Sequence, residues 1–399
     1  MPKSVKDAPK ERREYYAAEL REKNIDLAIV SNPKNIFYFT GFPSNLNMYV
    51  TLMKGARSTS FLTIDKNART AFILGRAEVY NPWVKPPAGK NPLELVYEGE
   101  ITMYPDYDPN ERMVTYGDIL SVEFQKWIKK QLAGVRRAGI EEWHLAEIFR
   151  AALLGGGNGP ELVGISRDLL SMRKTKGADE IENLTAATRM LDYSYKIAQK
   201  NSSLGNTELD VYRKVNYKVF EKFGPFAWVM GDYVSGERTL EVGGYASDRK
   251  FKRGDTIVLD LQGAYNNYWS DLCRTFVIGK RPSGKQEKVA STITRALDRV
   301  NETLKPGIKG KEIYSMVNNE ITKAGYPKLP HHAGHSIGLD DHEPPWFLPN
   351  TEETIEEGSV VVVEPGIYTK ETGGIRIEDV FIITKNGCER ISQYPRELD

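Results

Sequence analysis

The sequence predicts an α+β fold with two domains, residues 1–172 and residues 173–399. Three observations support this prediction. The first half alternates short apolar runs with helical patterns, which is typical of an α/β domain with a mixed sheet. A polar break near residue 173 precedes a long amphipathic helix pattern. The last third contains two pairs of strand-like runs, each joined by a short turn.

The composition is that of an ordinary globular protein. Apolar residues make up 40% and charged residues 27% of the 399 residues, which suits a soluble chain with a substantial core. The net charge of +1 favours neither nucleic acid nor an anionic membrane. The start has no apolar core of a signal peptide, no apolar run is long enough to span a membrane, and two cysteines make no disulfide framework. We therefore expect a cytoplasmic protein.

The N-terminal domain is predicted from short apolar runs and the helical patterns between them. The strand candidates are residues 26–31, 60–64, 70–74, 93–97 and 135–140. The helix candidates are an exposed helix over residues 10–23 and helices over residues 122–132 and 141–154. The glycine-rich residues 155–160 lack the Lys-Ser/Thr of a phosphate-binding loop, so we interpret them as an ordinary loop.

Helical patterns open the C-terminal domain and recur later in it. Asp179 is a plausible N-cap for the first helix. Thr207 and Asp210 resemble a capping box that begins a second helix, ending near Lys222. Apolar residues at three- and four-residue steps predict two further helices, over residues 286–304 and 311–324.

The first pair of strand-like runs flanks Asn266-Asn267. Asparagine tolerates the positive φ that a two-residue hairpin loop requires. With these residues as the loop, Gln262 pairs with Asp271, and Asp260 lies on the same face as Asp271, one diagonal step away. Two carboxylates so placed repel each other unless a cation lies between them. An exposed hairpin face is the alternative interpretation.

The second pair of strand-like runs carries two glutamates. If its strands end at Ile367 and begin at Ile375, with a loop of about seven residues, Glu364 lies directly opposite Glu378. Arg376 shares the face of Glu378 because side chains alternate along a strand. Glu364 follows four valines, where a lone carboxylate is costly. A bound cation again removes the conflict.

Histidines are concentrated in one segment. Four of the five in the chain are His331, His332, His335 and His342. A histidine-rich surface loop is the simplest interpretation, but the two acidic pairs argue for a site. One imidazole with four carboxylates suits a pair of divalent ions such as manganese, cobalt, iron or zinc. Such ions generate a hydroxide nucleophile and polarise a carbonyl.

The order and spacing of these residues resemble those of the pita-bread metallopeptidases, the superfamily of methionine aminopeptidase, aminopeptidase P, prolidase and creatinase. The residues on which this resemblance rests are Asp260 and Asp271 in one hairpin, His335, Glu364 in VEPG and Glu378 in GIRIED. The N-terminal domain is similar to that of the prolidase, aminopeptidase P and creatinase branch. The resemblance implies that the C-terminal domain is a curved antiparallel sheet covered by helices, and that the protein is a homodimer.

The resemblance also implies an activity. It is that of an Xaa-Pro dipeptidase or aminopeptidase with two divalent ions (Mn, Co, Zn or Fe), which cleaves short proline-containing peptides by attack of a metal-bridging hydroxide. In this pattern Asp260 binds one ion, Asp271 and Glu378 bridge both, and His335 and Glu364 bind the other.

Further roles carried over by the resemblance concern the substrate side of the site. Glu364 is the general base, His342 hydrogen-bonds the substrate carbonyl, and His331 contacts the substrate. Arg376 orients a ligand carboxylate. The remaining residues, His332 and His144, match no family residue, so we interpret them as structural or surface residues, and Cys273 as a core residue.

Two departures from the family pattern leave alternatives open. Peptidase members usually carry a histidine about seventeen residues before the first aspartate, where this chain has Val242-Gly243-Gly244-Tyr245. Some prolidase-like members have a basic residue after the second histidine motif, where this chain has Trp346. The alternatives are therefore a metal-dependent enzyme for a small non-peptide substrate, and a non-catalytic binding module of the same fold.

Overall fold

The computed structural model describes residues 8–42, 60–75, 97–105, 116–225 and 227–399. The chain divides into two compact units, Met1–Leu170 and Ser171–Asp399. The domain boundary at residues 172 and 173 stays a prediction. Both units combine sheets with helices, as an α+β fold requires.

The described residues of the first unit form a mixed sheet of six strands and the helices around it. Its strands are β1 (Leu27–Val30), β2 (Phe61–Asp65), β3 (Thr70–Gly75), β4 (Glu100–Tyr104), β5 (Arg137–Ile140) and β6 (Glu161–Gly164), in the order β4-β3-β2-β1-β5-β6. Its helices are α1 (Ala8–Glu22), α2 (Pro33–Thr40), α3 (Tyr116–Gln131), α4 (Glu147–Leu154) and α5 (Ser166–Met172). Pairs β1-β2 and β2-β3 are antiparallel and the other three are parallel, so the predicted mixed sheet is confirmed.

Four predicted strands of this unit are confirmed, and the fifth, residues 93–97, lies mainly outside the described residues. The helix predicted over residues 141–154 begins only at Glu147. Glu141, the first residue of the predicted helix, lies outside the observed one. Its buried carboxylate accepts hydrogen bonds from the backbone of Asn32 and the side chain of Asn35. The prediction of an exposed first helix was also wrong, because α1 buries one face, including Arg13.

The glycine-rich segment after α4 is a short 3-10 turn followed by a loop. Gly155, Gly156 and Gly157 all have positive φ, a conformation that residues with a side chain rarely adopt. The interpretation as an ordinary loop agrees with this geometry.

Within its described residues, the second unit contains three sheets, four α-helices and a 3-10 helix, Gly236–Glu241. Its strands are β7 (Trp228–Ser235), β8 (Thr256–Tyr265), β9 (Tyr268–Val277), β10 (Gly334–Ser336), β11 (Glu343–Trp346), β12 (Val360–Val363), β13 (Gly366–Thr369), β14 (Gly373–Arg376), β15 (Asp379–Thr384) and β16 (Gly387–Arg390). Its helices are α6 (Ala178–Asn201), α7 (Glu208–Phe223), α8 (Gly284–Thr303) and α9 (Gly310–Lys323). The sheets run β7-β8-β9, β13-β14 and β11-β10-β12-β15-β16.

Helices cover these sheets and bury their apolar faces. On α6, Tyr195 is fully buried and donates a hydrogen bond to Leu259 O of β8 at 2.9 Å. A second core joins α8 and α9 to β12 and β15. The capping box of α7 at Thr207 and Asp210 is confirmed. The N-cap of α6 is Gly177 rather than Asp179, because Glu180 reaches back to the Gly177 amide.

Candidate metal centre

The first two carboxylates are placed by the hairpin of β8 and β9. Asn266 and Asn267 adopt φ values of 52° and 67°, as a two-residue loop requires. The register pairs Gln262 with Asp271 and Asp260 with Cys273, so the predicted register is confirmed. Both strands are fully paired at these positions, which fixes both aspartates on rigid backbone.

The two glutamates lie where one pair of strands passes between sheets. Val363 pairs with Asp379 and Ile367 pairs with Ile375, in one continuous register. Glu364 and Glu378 interrupt this ladder, because the Glu364 amide donates to Ala333 O and the Glu378 amide donates to Cys273 O, each at 3.0 Å. The predicted single hairpin is therefore wrong in two details. The strands divide between two sheets, and the connecting loop has three residues, 370–372, rather than seven.

His335 is presented by the short strand β10, which pairs with β12. Its Nδ1 lies 2.9 Å from Ser336 O, so Nδ1 carries the proton and Nε2 is the atom available as a ligand. Nε2 lies 3.8 Å from Asp271 Oδ2 and 3.7 Å from Glu364 Oε1. Burial, followed by neighbouring His342, lowers the pKa of His335 to about 3. The imidazole is thus neutral at physiological pH, as a metal ligand must be.

The five predicted ligands lie together. Together with His342, their ligand atoms form three overlapping groups, each within 4.8 Å, namely Asp260 with Asp271 and Glu378, His335 with Glu364 and Glu378, and Asp271 with His335 and His342. Asp271, Glu378 and His335 each belong to two groups, so the set is continuous. This is the arrangement that two neighbouring ions sharing bridging carboxylates would need.

Buried oxygen atoms without partners indicate, independently of any sequence motif, that these residues could bind a cation. Both side-chain oxygens of Glu378, and Oδ1 of Asp260 and of Asp271, are buried without a hydrogen-bond partner in the part of the chain that the structure describes. Buried polar atoms are nearly always paired. Oxygen-rich ligands with one imidazole match divalent ions of hard or borderline character. The residues present therefore fit divalent metal.

The pKa shifts of the carboxyl groups also indicate that the site requires a cation. Burial and the neighbouring carboxylates raise the pKa of Asp271 and of Glu378 well above their ordinary values. Glu364 behaves differently, because the nearby histidines, first of all His332, outweigh burial and lower its pKa to about 2. Without a cation, Asp271 and Glu378 therefore hold their protons more tightly than free carboxyl groups do.

The stability of the metal-free protein is expected to fall as pH rises. Asp271 and Glu378 have folded-state pKa values above their ordinary values of 3.8 and 4.5, so their stabilising effect is complete below those values and is lost as pH rises through the folded-state pKa values. Denaturant unfolding of chelator-treated protein from pH 5 to pH 8 measures this loss, and Mn²⁺ should reverse it. The variant Glu378→Gln should show a shallower dependence, and a slope equal to that of the unmodified protein would contradict this explanation.

Arg376 connects the ligand set to the residues around it. Its Nη2 lies 2.6 Å from Asp260 Oδ2, and its Nη1 donates to Val242 O at 2.8 Å and to the Tyr368 hydroxyl at 2.9 Å. Arg376 is almost completely buried. The structure thus brings Arg376 into contact with a predicted ligand carboxylate, and Tyr368 is a neighbour that sequence reasoning missed.

The predicted substrate-side histidines lie at the same site. His331 Nε2 lies 2.9 Å from the Tyr368 hydroxyl, and its Nδ1 lies 3.8 Å from Glu364 Oε2. His342 stacks on His335 with ring centroids 3.8 Å apart, while its Nδ1 lies 3.3 Å from Asp341. Both rings therefore border the ligand set.

The two histidines interpreted as structural or surface residues lie in different parts of the chain, and only His332 contacts a predicted ligand. His332 Nδ1 lies 2.9 Å from Glu364 Oε1, and its ring lies 5.4 Å from that of His335. The segment around it is irregular rather than a regular strand, so neighbouring His331 and His332 both face the site. His144 lies in the turn after β5 of the first unit. Cys273 is a fully buried core residue, as predicted.

A buried cluster of charged side chains stabilises the segment that carries the histidines. Glu343, which follows His342, accepts hydrogen bonds from Arg173 and from Lys176 Nζ, the latter at 3.2 Å. The Arg173, Lys176 and Glu343 side chains are at most 3% exposed. Glu343 Oε1 also accepts from the Asp340 amide at 3.0 Å. This cluster holds the loop that carries His342, and no sequence pattern indicated it.

The segment that lacks the expected histidine has a different arrangement. A Cβ on Gly243 would lie 2.3 Å from Asp232 Oδ2. Asp232 accepts a hydrogen bond from the Gly244 amide at 2.8 Å and one from Arg376 Nη2 at 3.0 Å. Asp232 is a further carboxylate at the edge of the site that sequence reasoning missed.

A sheet-borne cluster of four carboxylates and a histidine, within a unit of antiparallel sheets covered by helices, defines a metal-dependent hydrolase. The Metallopeptidase family M24 model matches residues 182–385. The Creatinase/Prolidase N-terminal domain model matches residues 12–175. The chain therefore belongs to metallopeptidase family M24, in its creatinase and prolidase branch, and the predicted family is confirmed.

Individual relatives agree over almost the whole chain. The Xaa-Pro dipeptidase of Pyrococcus horikoshii is 33% identical over 84% of this chain and 96% of its own length. That of Pyrococcus furiosus is 28% identical over 98% of this chain and 99% of its own. The crystal structure of the Pyrococcus horikoshii prolidase superimposes with a TM-score of 0.79 and 27% identity, covering 98% of this chain and 100% of that one. These similarities confirm the predicted fold class and a metallopeptidase.

No helix within the described ranges is long and apolar enough to cross a membrane.

Proposed function

We propose that the protein is a dinuclear-metal hydrolase that releases the first residue from Xaa-Pro peptides, as an Xaa-Pro dipeptidase or aminopeptidase. The observation that carries this proposal is the continuous set of five ligand residues. Relatives named as Xaa-Pro dipeptidases in two Pyrococcus species support the substrate class.

In this proposal the ligand residues divide between two ions. Asp260 would hold one ion, His335 and Glu364 would hold the other, and Asp271 and Glu378 would contribute to the binding of both. Mn, Co, Fe or Zn suits this mixture of carboxylates and imidazole. When bound, such ions lower the pKa of water and polarise the carbonyl of the scissile bond.

The surrounding residues act on the substrate and on protons. Glu364 accepts the proton of the attacking water as general base, with His332 beside its Oε1. His342 donates a hydrogen bond to the carbonyl oxygen as negative charge develops there. His331 contacts the substrate from the Tyr368 side of the site. Arg376 holds the carboxylate of Asp260 in place through its 2.6 Å contact, which would orient Asp260 as a metal ligand.

His342→Ala is expected to lower kcat by roughly 10²–10³-fold, the usual effect of removing one donor to a developing oxyanion. Metal content should not change, because His342 is not one of the five proposed ligands. Steady-state kinetics and metal analysis of the same preparation measure both effects. Loss of metal in this variant would mean that His342 is a ligand.

One substrate panel tests the proposed function. After removal of metal and restoration with Mn²⁺ or Co²⁺, release of the first residue is followed for Ala-Pro, Ala-Pro-Ala and Ala-Ala. Metal-dependent cleavage of either proline peptide, with Ala-Ala cleaved much more slowly, is the expected result. The ratio of the cleavage rates of the two proline peptides distinguishes a dipeptidase from an aminopeptidase. Cleavage of neither, with two ions bound, would refute the proposal.

A second candidate function is hydrolysis of a small cationic non-peptide substrate. Asp232 beside Gly243 favours it, because a carboxylate occupies the edge of the site where a histidine was expected. Trp346, which stacks on His342 at 5.5 Å in place of a basic residue, is a second such departure. A non-catalytic binding module is disfavoured by the complete ligand set. The homodimer and the cytoplasmic location stay predictions.

A further inference from the structure

Asp232 shares its guanidinium partner with a proposed metal ligand. It lies on β7 directly opposite Asp260 on β8. Two carboxylates in such a cross-strand pair repel each other. Here Arg376 Nη2 contacts both, 3.0 Å from Asp232 Oδ2 and 2.6 Å from Asp260 Oδ2. Asp232 is therefore positioned next to the Asp260 end of the ligand set.

The Asp232 carboxylate and a side chain at position 243 exclude each other. The 2.3 Å distance from a Cβ at Gly243 to Asp232 Oδ2 is far below any van der Waals contact. The Gly244 amide fixes the other oxygen of Asp232. A side chain at position 243, where the family pattern has a histidine, is therefore incompatible with the observed position of the Asp232 carboxylate.

Asp232 is also the member of this group that faces solvent. Its side chain is 32% exposed, compared with 13% for Asp260 and 3% for Arg376. The hydrogen bonds from Arg376 and Gly244 use one position on each of its oxygens. A carboxylate has about four acceptor positions, so Asp232 can accept a further hydrogen bond from a group entering the site.

We propose that Asp232 is a specificity-determining residue that binds the protonated amine of the substrate residue preceding the scissile bond. This inference rests on the proposed function. The amine of that residue is two bonds from the scissile carbonyl carbon, so a carbonyl at the ions places the amine at the border of the ligand set. Asp232 lies at that border, next to Asp260.

The kinetic test compares two substrates in metal-restored protein, Ala-Pro and propionyl-Pro, which has the same shape but no amine. Asp232→Asn keeps an acceptor for the Gly244 amide and loses the charge. The ratio of kcat/KM for the two substrates is expected to fall by about 10–100-fold in the variant, the usual worth of a hydrogen bond to a charged group. Equal loss on both substrates would mean that Asp232 has only a structural role and would overturn the proposal.

A binding measurement separates this inference from the proposed function. Calorimetry compares alaninamide with propionamide, and Asp232→Asn should reduce the preference for the amine by the same factor. If no Xaa-Pro peptide is cleaved but the Asp232-dependent preference remains, the proposed function fails, whereas the binding of a protonated amine by Asp232 is retained. An unchanged preference in the variant overturns the inference.

Two further variants sharpen the test. Asp248→Asn removes an exposed carboxylate from the segment between β7 and β8 and should leave the substrate ratio unchanged. Gly243→Ala should reduce the ratio as Asp232→Asn does, because the added Cβ displaces the carboxylate. If Gly243→Ala kept the kcat/KM ratio of the unmodified protein, a side chain at position 243 would not displace the Asp232 carboxylate, contrary to the inference.

Discussion

Asp271→Ala or Glu378→Ala is expected to abolish hydrolysis and metal binding together. Each residue belongs to two of the overlapping ligand groups, so its removal weakens the site for both ions. Because bound metal contributes several kcal/mol to transition-state stabilisation, kcat/KM should fall by roughly 10³-fold or more. Metal analysis after dialysis, together with kinetics on Ala-Pro, measures both losses.

The matched control is Glu357→Ala, an exposed glutamate in the same unit, which should keep full activity and metal. Both site variants should still fold, because each removes one of several buried carboxylates that repel one another. A folded Asp271 or Glu378 variant that retains two ions and full activity would show that the substituted residue does not bridge the proposed ions.

Glu343→Ala is expected to have the largest effect on stability. The substitution leaves Arg173 and Lys176 buried without their shared carboxylate, at 3% and 0% side-chain exposure. Removing one partner from a buried ion pair costs roughly 3–5 kcal/mol of unfolding free energy. Because Glu343 also holds the Asp340 amide, the position of His342 should be disturbed, and turnover should fall in the fraction that remains folded.

An exposed glutamate provides the comparison for Glu343. Glu352 also contacts two lysines, Lys309 and Lys311, but it lies on the surface. Surface ion pairs contribute little, so Glu352→Ala should lower the midpoint of denaturant unfolding far less than Glu343→Ala does. Equal shifts for the two variants would mean that the buried cluster has no special structural role.

The register of the first hairpin could be predicted because its turn determines it. Asn266 and Asn267 both take positive φ, and a two-residue loop leaves only one way to pair the following residues. The positions of Asp260 and Asp271 follow from that pairing. The relation of Glu364 to Glu378 could be predicted for a similar reason, although the division of their strands between two sheets could not.

Other features depend on contacts between distant parts of the chain. Asp232 and Asp260 are paired, but the 3-10 helix Gly236–Glu241 and a long loop separate their strands, so no turn rule fixes their register. Glu343 meets Arg173 across 170 residues. Glu141 leaves its predicted helix because it binds backbone more than a hundred residues away. Local propensity carries no information on such partners.

A metal titration tests the central claim most directly. Chelator-treated protein is titrated with Mn²⁺ while hydrolysis of Ala-Pro and bound metal are measured on the same samples. We expect activity to rise until two ions are bound per chain and to stay constant beyond that point. Full activity with one ion or none, or two bound ions without hydrolysis of any proline peptide, would contradict the assignment of this site as a dinuclear Xaa-Pro peptidase centre.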